Sequence, residues 1–133
     1  MSLSAILTNC DNPEASAEFL VFPVSENTRT FGNGDARFVH LNSFGEPAAG
    51  ASRILIQVRK RSEFGFICRL ATITESVGFS DVDLPNARSS FDPDIGLRVQ
   101  VPVRAFDGEA FRDYILNTLI HFGDETIEVA LQS

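Results

Sequence analysis

The sequence predicts an α+β domain, an antiparallel sheet followed by a C-terminal helix. Two observations carry this reading. Residues 53–61, 66–74 and 95–103 alternate between apolar and polar side chains with the period of a half-buried strand. After Asp107 the pattern changes: Phe111, Tyr114, Ile115, Thr118, Leu119 and Phe122 recur at helical spacing, with Leu116 and Ile120 widening the stripe. A stripe this broad needs cover on more than one side, which makes a second copy of the chain the natural partner.

Residues 3–8 read as a first short strand, and Asp11, Asn12 and Pro13 as a turn. Residues 18–24, rich in Phe and Val and ended by Pro23, read as a second strand, so that residues 1–26 are expected to form an N-terminal hairpin. Residues 27–35, with Gly32-Asn33-Gly34, read as a loop, and residues 36–42 as the third strand. Strand four, 53–61, places Ile54, Ile56 and Val58 on one side and Arg53, Leu55, Gln57 and Arg59 on the other. Strand five, 66–74, has Phe66, Cys68, Leu70 and Thr72 on one side and Ile67, Arg69, Ala71 and Ile73 on the other. Residues 75–94, with Gly78, Pro85 and Pro93, read as a long loop of the functional kind. Residues 95–103 give the cleanest strand, and the main sheet is expected to span 36–103. In the C-terminal helical region, 107–133, Asp107 is placed to cap the helix and Gly123 to end it.

A chain of 133 residues is sized for one domain. Apolar residues make up 44% of it, with twelve Phe and no Trp, enough for a sizeable core. The net charge of -7 argues against a nucleic-acid binder until its distribution is considered. Residues 1–52 carry 2 basic and 6 acidic groups, residues 53–73 carry 5 and 1, and residues 74–133 carry 4 and 11. Positive charge is therefore concentrated on the central hairpin, and ten of the eleven basic residues are Arg, whose planar fork suits phosphate and stacks on bases. Arg53 and Arg59 are expected to project alongside Arg69 and Arg98, with Gln57 able to reach a base edge and phosphate contact supplying the affinity. What this face lacks, on this reading, is an aromatic platform.

Signals for catalysis are weak. His40 and His121 have structural readings, and no Cys/His spacing suits a metal, so neither a catalytic nor a metal site is expected, and no cofactor. Asp81, Asp83, Asp92 and Asp94 read as a solvated acidic loop rather than a cation site. Cys10 and Cys68 are too few for a disulfide framework and fit a reducing compartment, with Cys68 as a small core residue. No stretch approaches a membrane span, and the first ten residues do not read as a signal peptide.

In the order of its parts the chain resembles the levivirus-type coat proteins of small single-stranded RNA bacteriophages. Leu20-Val21-Phe22-Pro23 looks like that family's second strand, and Asn33-Gly34 falls in the following loop. The stretch GEPAAGASRILIQVRK is similar to the Gly- and Ser-rich loop and Arg-ending strand of one branch. Val82-Asp83-Leu84-Pro85 resembles the Val-Glu-Leu-Pro of its long loop, and Val99-Gln100-Val101-Pro102-Val103 the strand before its helix. The resemblance implies an intertwined homodimer, each helix lying over the partner's sheet, that assembles into an icosahedral virion shell in the bacterial cytoplasm. It implies packaging of genomic RNA on the sheet's open face and, in some members, binding of an RNA hairpin to repress replicase translation. It places RNA contacts at Arg53, Leu55, Gln57, Arg59, Arg69, Ala71, Asp94 and Arg98, with Phe91 beside Asp94 as an alternative stacking residue. Ala71, Leu55 and Asp94 depart from the residue types found there in the family, so recognition of its hairpin does not carry over. Two other functional readings stand beside it: a dimeric α+β module of a cell that binds a small ligand in an apolar pocket between sheet and helix, and a hydrolase using His40 or the loop carboxylates.

Overall fold

The computed structural model describes residues 3–11, 13, 15–42, 51–61, 64–73 and 78–133. Alternating side chains dominate them, and they fold as two antiparallel sheets packed face to face. The strands are β1 (Ala5–Asn9), β2 (Thr28–Phe31), β3 (Ala36–Asn42), β4 (Ser52–Arg59), β5 (Phe66–Ile73), β6 (Asp81–Val82), β7 (Arg88–Asp92), β8 (Gly96–Phe106), β9 (Phe111–His121) and β10 (Thr126–Gln132). The first sheet runs β1-β5-β4-β3-β2; the second runs β10-β9-β8-β6, with β7 also paired to β8.

The core lies between the sheets. Phe38, Ile54, Ile56, Val58, Ala71 and Ile73 enter it from the first, and Leu97, Val99, Val101, Val103, Leu116 and Ile120 from the second. Phe79 and Leu84, both fully buried, fill it from the connections between β5 and β7. Arg29 braces one lateral edge: its Nη1 donates to the carbonyls of Leu84, Pro85 and Ala87, all within 3.2 Å.

The expected C-terminal helix is not formed, so the α+β assignment is overturned. Residues 111–121 are β9, and Tyr114, Leu116, Thr118, Ile120 and Phe122 fall on the core-facing parity of a period of two. The helical stripe arose because Ile115 and Leu119, on the opposite face, are also apolar and sit four residues apart. Asp107 caps a hairpin turn instead of a helix. Its Oδ1 accepts from the amides of Glu109 and Ala110, its Oδ2 from Arg112 Nε. These three bonds favour the ionised carboxylate and hold its pKa down at about 2. The helix that was to lie over a partner's sheet is thus absent, and Leu116, Ile120 and Phe122 of its stripe are buried within the chain, whereas Phe111 is exposed and Ile115 and Leu119 are half-buried on the outer face.

The N-terminal hairpin also gives way. β1 pairs with β5 in the register Leu7↔Ala71, and not with residues 18–24. Those residues carry two single-turn 3-10 helices, Ala17–Phe19 and Val24–Glu26, and one bridge, Leu20↔Leu41. The expected loop at 27–35 contains β2, the expected loop at 75–94 contains β6 and β7, and the main sheet assigned to 36–103 is divided between both sheets.

The two cysteines, too few for a disulfide framework, nevertheless form one bond within the chain, Cys10–Cys68, and Cys68 is not the small core residue expected. It fastens the chain that precedes Ala15, Phe19 and Leu20, which cover Val39, Leu41 and Leu70 on the outer side of the first sheet. Closing a loop of 58 residues is worth about 4 kcal/mol in the chain-entropy account. Among the described residues, the half of that outer side that carries Arg37 and Arg59 is left open.

Candidate nucleic-acid interface

The open half is built by four strands in register. Ile54, Ile56 and Val58 point into the core, so Arg53, Leu55, Gln57 and Arg59 point outward. Cross-strand pairing then aligns Thr30, Arg37, Gln57 and Cys68 in one row, and sets Arg59 opposite Phe66 in the next. Neighbouring strands lie about 4.8 Å apart, so Arg37, Gln57 and Arg59 form one compact group. Arg37 and Arg59 are exposed, and Phe66 is 55% exposed. Arg37 has no ion pair among the described residues. Arg59 and Arg61 share Asp35, at 3.7 and 3.5 Å, with the guanidinium of Arg61 stacked 4.4 Å from the centre of the Phe122 ring. Phe64, fully exposed, lies in the β4–β5 connection.

Of the residues expected to make the RNA face, Gln57 and Arg59 meet on this surface. Arg53 and Leu55 share its side but lie at the far, covered end. Arg53 sits six residues, about 20 Å, from Arg59, with its Nη1 bonded to the Ala51 carbonyl at 3.1 Å. Leu55 packs among Val39, Leu41 and Leu70. Arg69 pairs with Ile56 and so has the opposite orientation, its Nη1 donating to the Cys68 carbonyl at 2.8 Å. Ala71 is fully buried in the core. Arg98 and Asp94 belong to the second sheet and its β7–β8 turn. Asp94 lines a cleft there with Arg61, Phe91, Ile95 and His121. The turn lies so close to β9 that a side chain at Gly96, whose φ is +128°, would strike the Ile120 carbonyl.

Two residues of the group escaped the sequence reading. Phe66 supplies the aromatic thought to be missing. The alternation of strand five did place it opposite Arg69, and a correct β4–β5 register would have set it beside Arg59. Arg37 had only its outward place between Ala36 and Phe38 as a signal, because the β3–β4 register is set across a long connection.

His40 sits inside the opposite end of the sandwich. Its Nδ1 donates to Asn27 Oδ1 at 3.0 Å, its Nε2 accepts from Ser52 Oγ at 2.7 Å, and Ser52 Oγ in turn accepts from Asn42 Nδ2 at 3.0 Å. Burial lowers the pKa of His40 below its ordinary 6.5, against a smaller opposing pull from Asp81. The serine, histidine and asparagine stand in the order of a nucleophile relay. Ser52 is fully enclosed, however, and His40 only 4% exposed, so the trio serves as an interior hydrogen-bond network. Among the described residues no three His, Cys, Asp or Glu come together to hold a metal ion. The small-ligand pocket expected between sheet and helix has no helix to roof it. The chain matches no protein-family model, no curated protein and no solved structure.

Proposed function

We propose that the protein is a coat-type structural subunit that binds single-stranded RNA through the open half of its first sheet. The observation that carries this reading is the group Arg37, Gln57, Arg59 and Phe66. Two exposed guanidiniums can neutralise phosphates, an amide can reach a base edge, and an exposed ring can stack on a base. Such a face takes unpaired strands, whose bases can splay onto the ring, better than a duplex.

Association with further copies is supported by the surface. Phe22, Phe64, Phe66, Phe91 and Phe111 are each more than half exposed, and Phe106 and Phe111 stack with ring centres 5.2 Å apart at the tip of the β8–β9 hairpin. Exposed aromatic surface on this scale favours burial against neighbours. The motifs shared with the levivirus-type coats support the same role in a virion, on a scaffold without their helix.

Expression followed by electron microscopy and absorbance measurement tests the proposal. Closed particles containing RNA are expected, and Arg37→Gln combined with Arg59→Gln should lower their RNA content while leaving the fold intact. Soluble nucleic-acid-free monomers under all conditions would refute it.

A further inference from the structure

The outer face of the second sheet has a different chemistry from that of the first. Gln100, Asn117 and Gln132, on three adjacent strands, form a hydrogen-bonded ladder of side-chain amides. Gln100 Nε2 donates to Asn117 Oδ1 at 3.0 Å, and Asn117 Nδ2 donates to Gln132 Oε1 at 2.7 Å. The bonding leaves both donors and an acceptor unused. Gln100 keeps its carbonyl oxygen and one N–H, Asn117 keeps one N–H, and Gln132 keeps both N–H groups.

The ladder lies in a groove of about 590 Å3, within the size range of small-ligand sites. Ala130, opposite Asn117 on β10, is the small side chain that opens the floor. The next row is Arg98, Leu119 and Glu128, in which half-buried Leu119 offers an apolar shelf between one cation and one anion. Glu128 is also held by His121 Nε2 at 3.0 Å.

We propose that this groove binds a neutral glycan. A hydroxyl group both donates and accepts, and vicinal hydroxyls match the in-plane donor and acceptor of a planar amide. The row of amide N–H donors, with a free carbonyl acceptor at its Gln100 end, suits several hydroxyls of one chain at once, while the C–H face of a sugar ring fits the Leu119 shelf. An anionic polymer gains little here, since Arg98 is offset by Glu128. A protein partner would need a wider apolar centre than one leucine. The inference is independent of the RNA reading, which concerns the other sheet.

Retention of the folded protein on a panel of immobilised neutral oligosaccharides, with heparin as the anionic control, tests it. The wild type should bind at least one neutral glycan. Asn117→Ala and Gln132→Ala should each weaken that binding about tenfold, the loss of one or two net hydrogen bonds. Arg37→Gln/Arg59→Gln should leave it unchanged while reducing heparin retention. Absence of neutral-glycan binding by folded protein, or binding indifferent to both amide variants, would overturn the proposal, as would an Asn117→Ala effect confined to heparin or RNA.

Discussion

Thr118 shows how a single side chain in the core can be at odds with its surroundings. It is fully buried on β9, yet its hydroxyl has no partner among the described residues. A buried hydroxyl without a bond carries its desolvation cost uncompensated. Thr118→Val keeps the shape and removes the polar atom, so it should stabilise the protein by about 1 kcal/mol and raise the melting temperature by about 4 °C. Calorimetry decides it, and a lower melting temperature would mean that the hydroxyl is bonded after all. His40 makes the converse case, since every polar atom of its ring is used. Its folded pKa lies below the ordinary 6.5 because burial disfavours the charged ring. Below 6.5 the unfolded chain therefore binds a proton that the folded chain does not. The stabilisation is complete above that pH and is lost as pH falls through the depressed value. Denaturant titrations from about pH 8 to about pH 5 should show this loss in the wild type and a smaller one in His40→Gln. Equal slopes would place the pH dependence on other groups.

At the scale of elements, β9 is the most informative strand. Leu119 belonged to the centre of the expected helical stripe, with Ile120 at its margin; in the sandwich Leu119 faces outward and Ile120 is fully buried. A helix and a sandwich strand rank substitutions at these two positions oppositely. Leu119→Lys should cost no more than about 1 kcal/mol, whereas Ile120→Lys buries a charge and should cost about 4 kcal/mol or more. Urea unfolding of both variants is the check, and a more damaging change at 119 would restore the helix. Much of the first sheet was legible: β3, β4 and β5 lie within two residues of the positions their alternation predicted. Those strands announce themselves because one face is core and the other wet. β9 did not, because apolar Ile115 and Leu119 on its outer face blur the alternation, and period alone cannot separate the two patterns in a short apolar run. β2 and β7 are short and polar, so no core pattern marked them. The Cys10–Cys68 bond was illegible because nothing in a linear pattern brings two cysteines 58 residues apart together.

For the whole molecule, the two outer faces divide the chemistry. The first sheet shows arginine and phenylalanine, the second a ladder of neutral amides, and the -7 net charge lies largely outside the first. The basic hairpin identified in the sequence remains the source of the proposed RNA face, but pairing reshaped its membership. Arg69 turned away, Ala71 went into the core, Arg98 and Asp94 moved to the other sheet, and Arg37 and Phe66 took their places. Residue roles of this kind depend on strand register, which a long connection such as 43–51 leaves unspecified.

Contact of Arg37 and Arg59 with RNA phosphates is decided by fluorescence-anisotropy titration of an unstructured RNA at several salt concentrations, comparing wild type, Arg37→Gln/Arg59→Gln and Arg69→Gln. The wild type and Arg69→Gln should show salt-dependent binding. The double variant should bind more weakly, with the slope of log K against log salt reduced by roughly 1.4, about 0.7 for each lost phosphate contact on a single strand. Equal affinity and slope for all three proteins, or a loss only in Arg69→Gln, would contradict that contact.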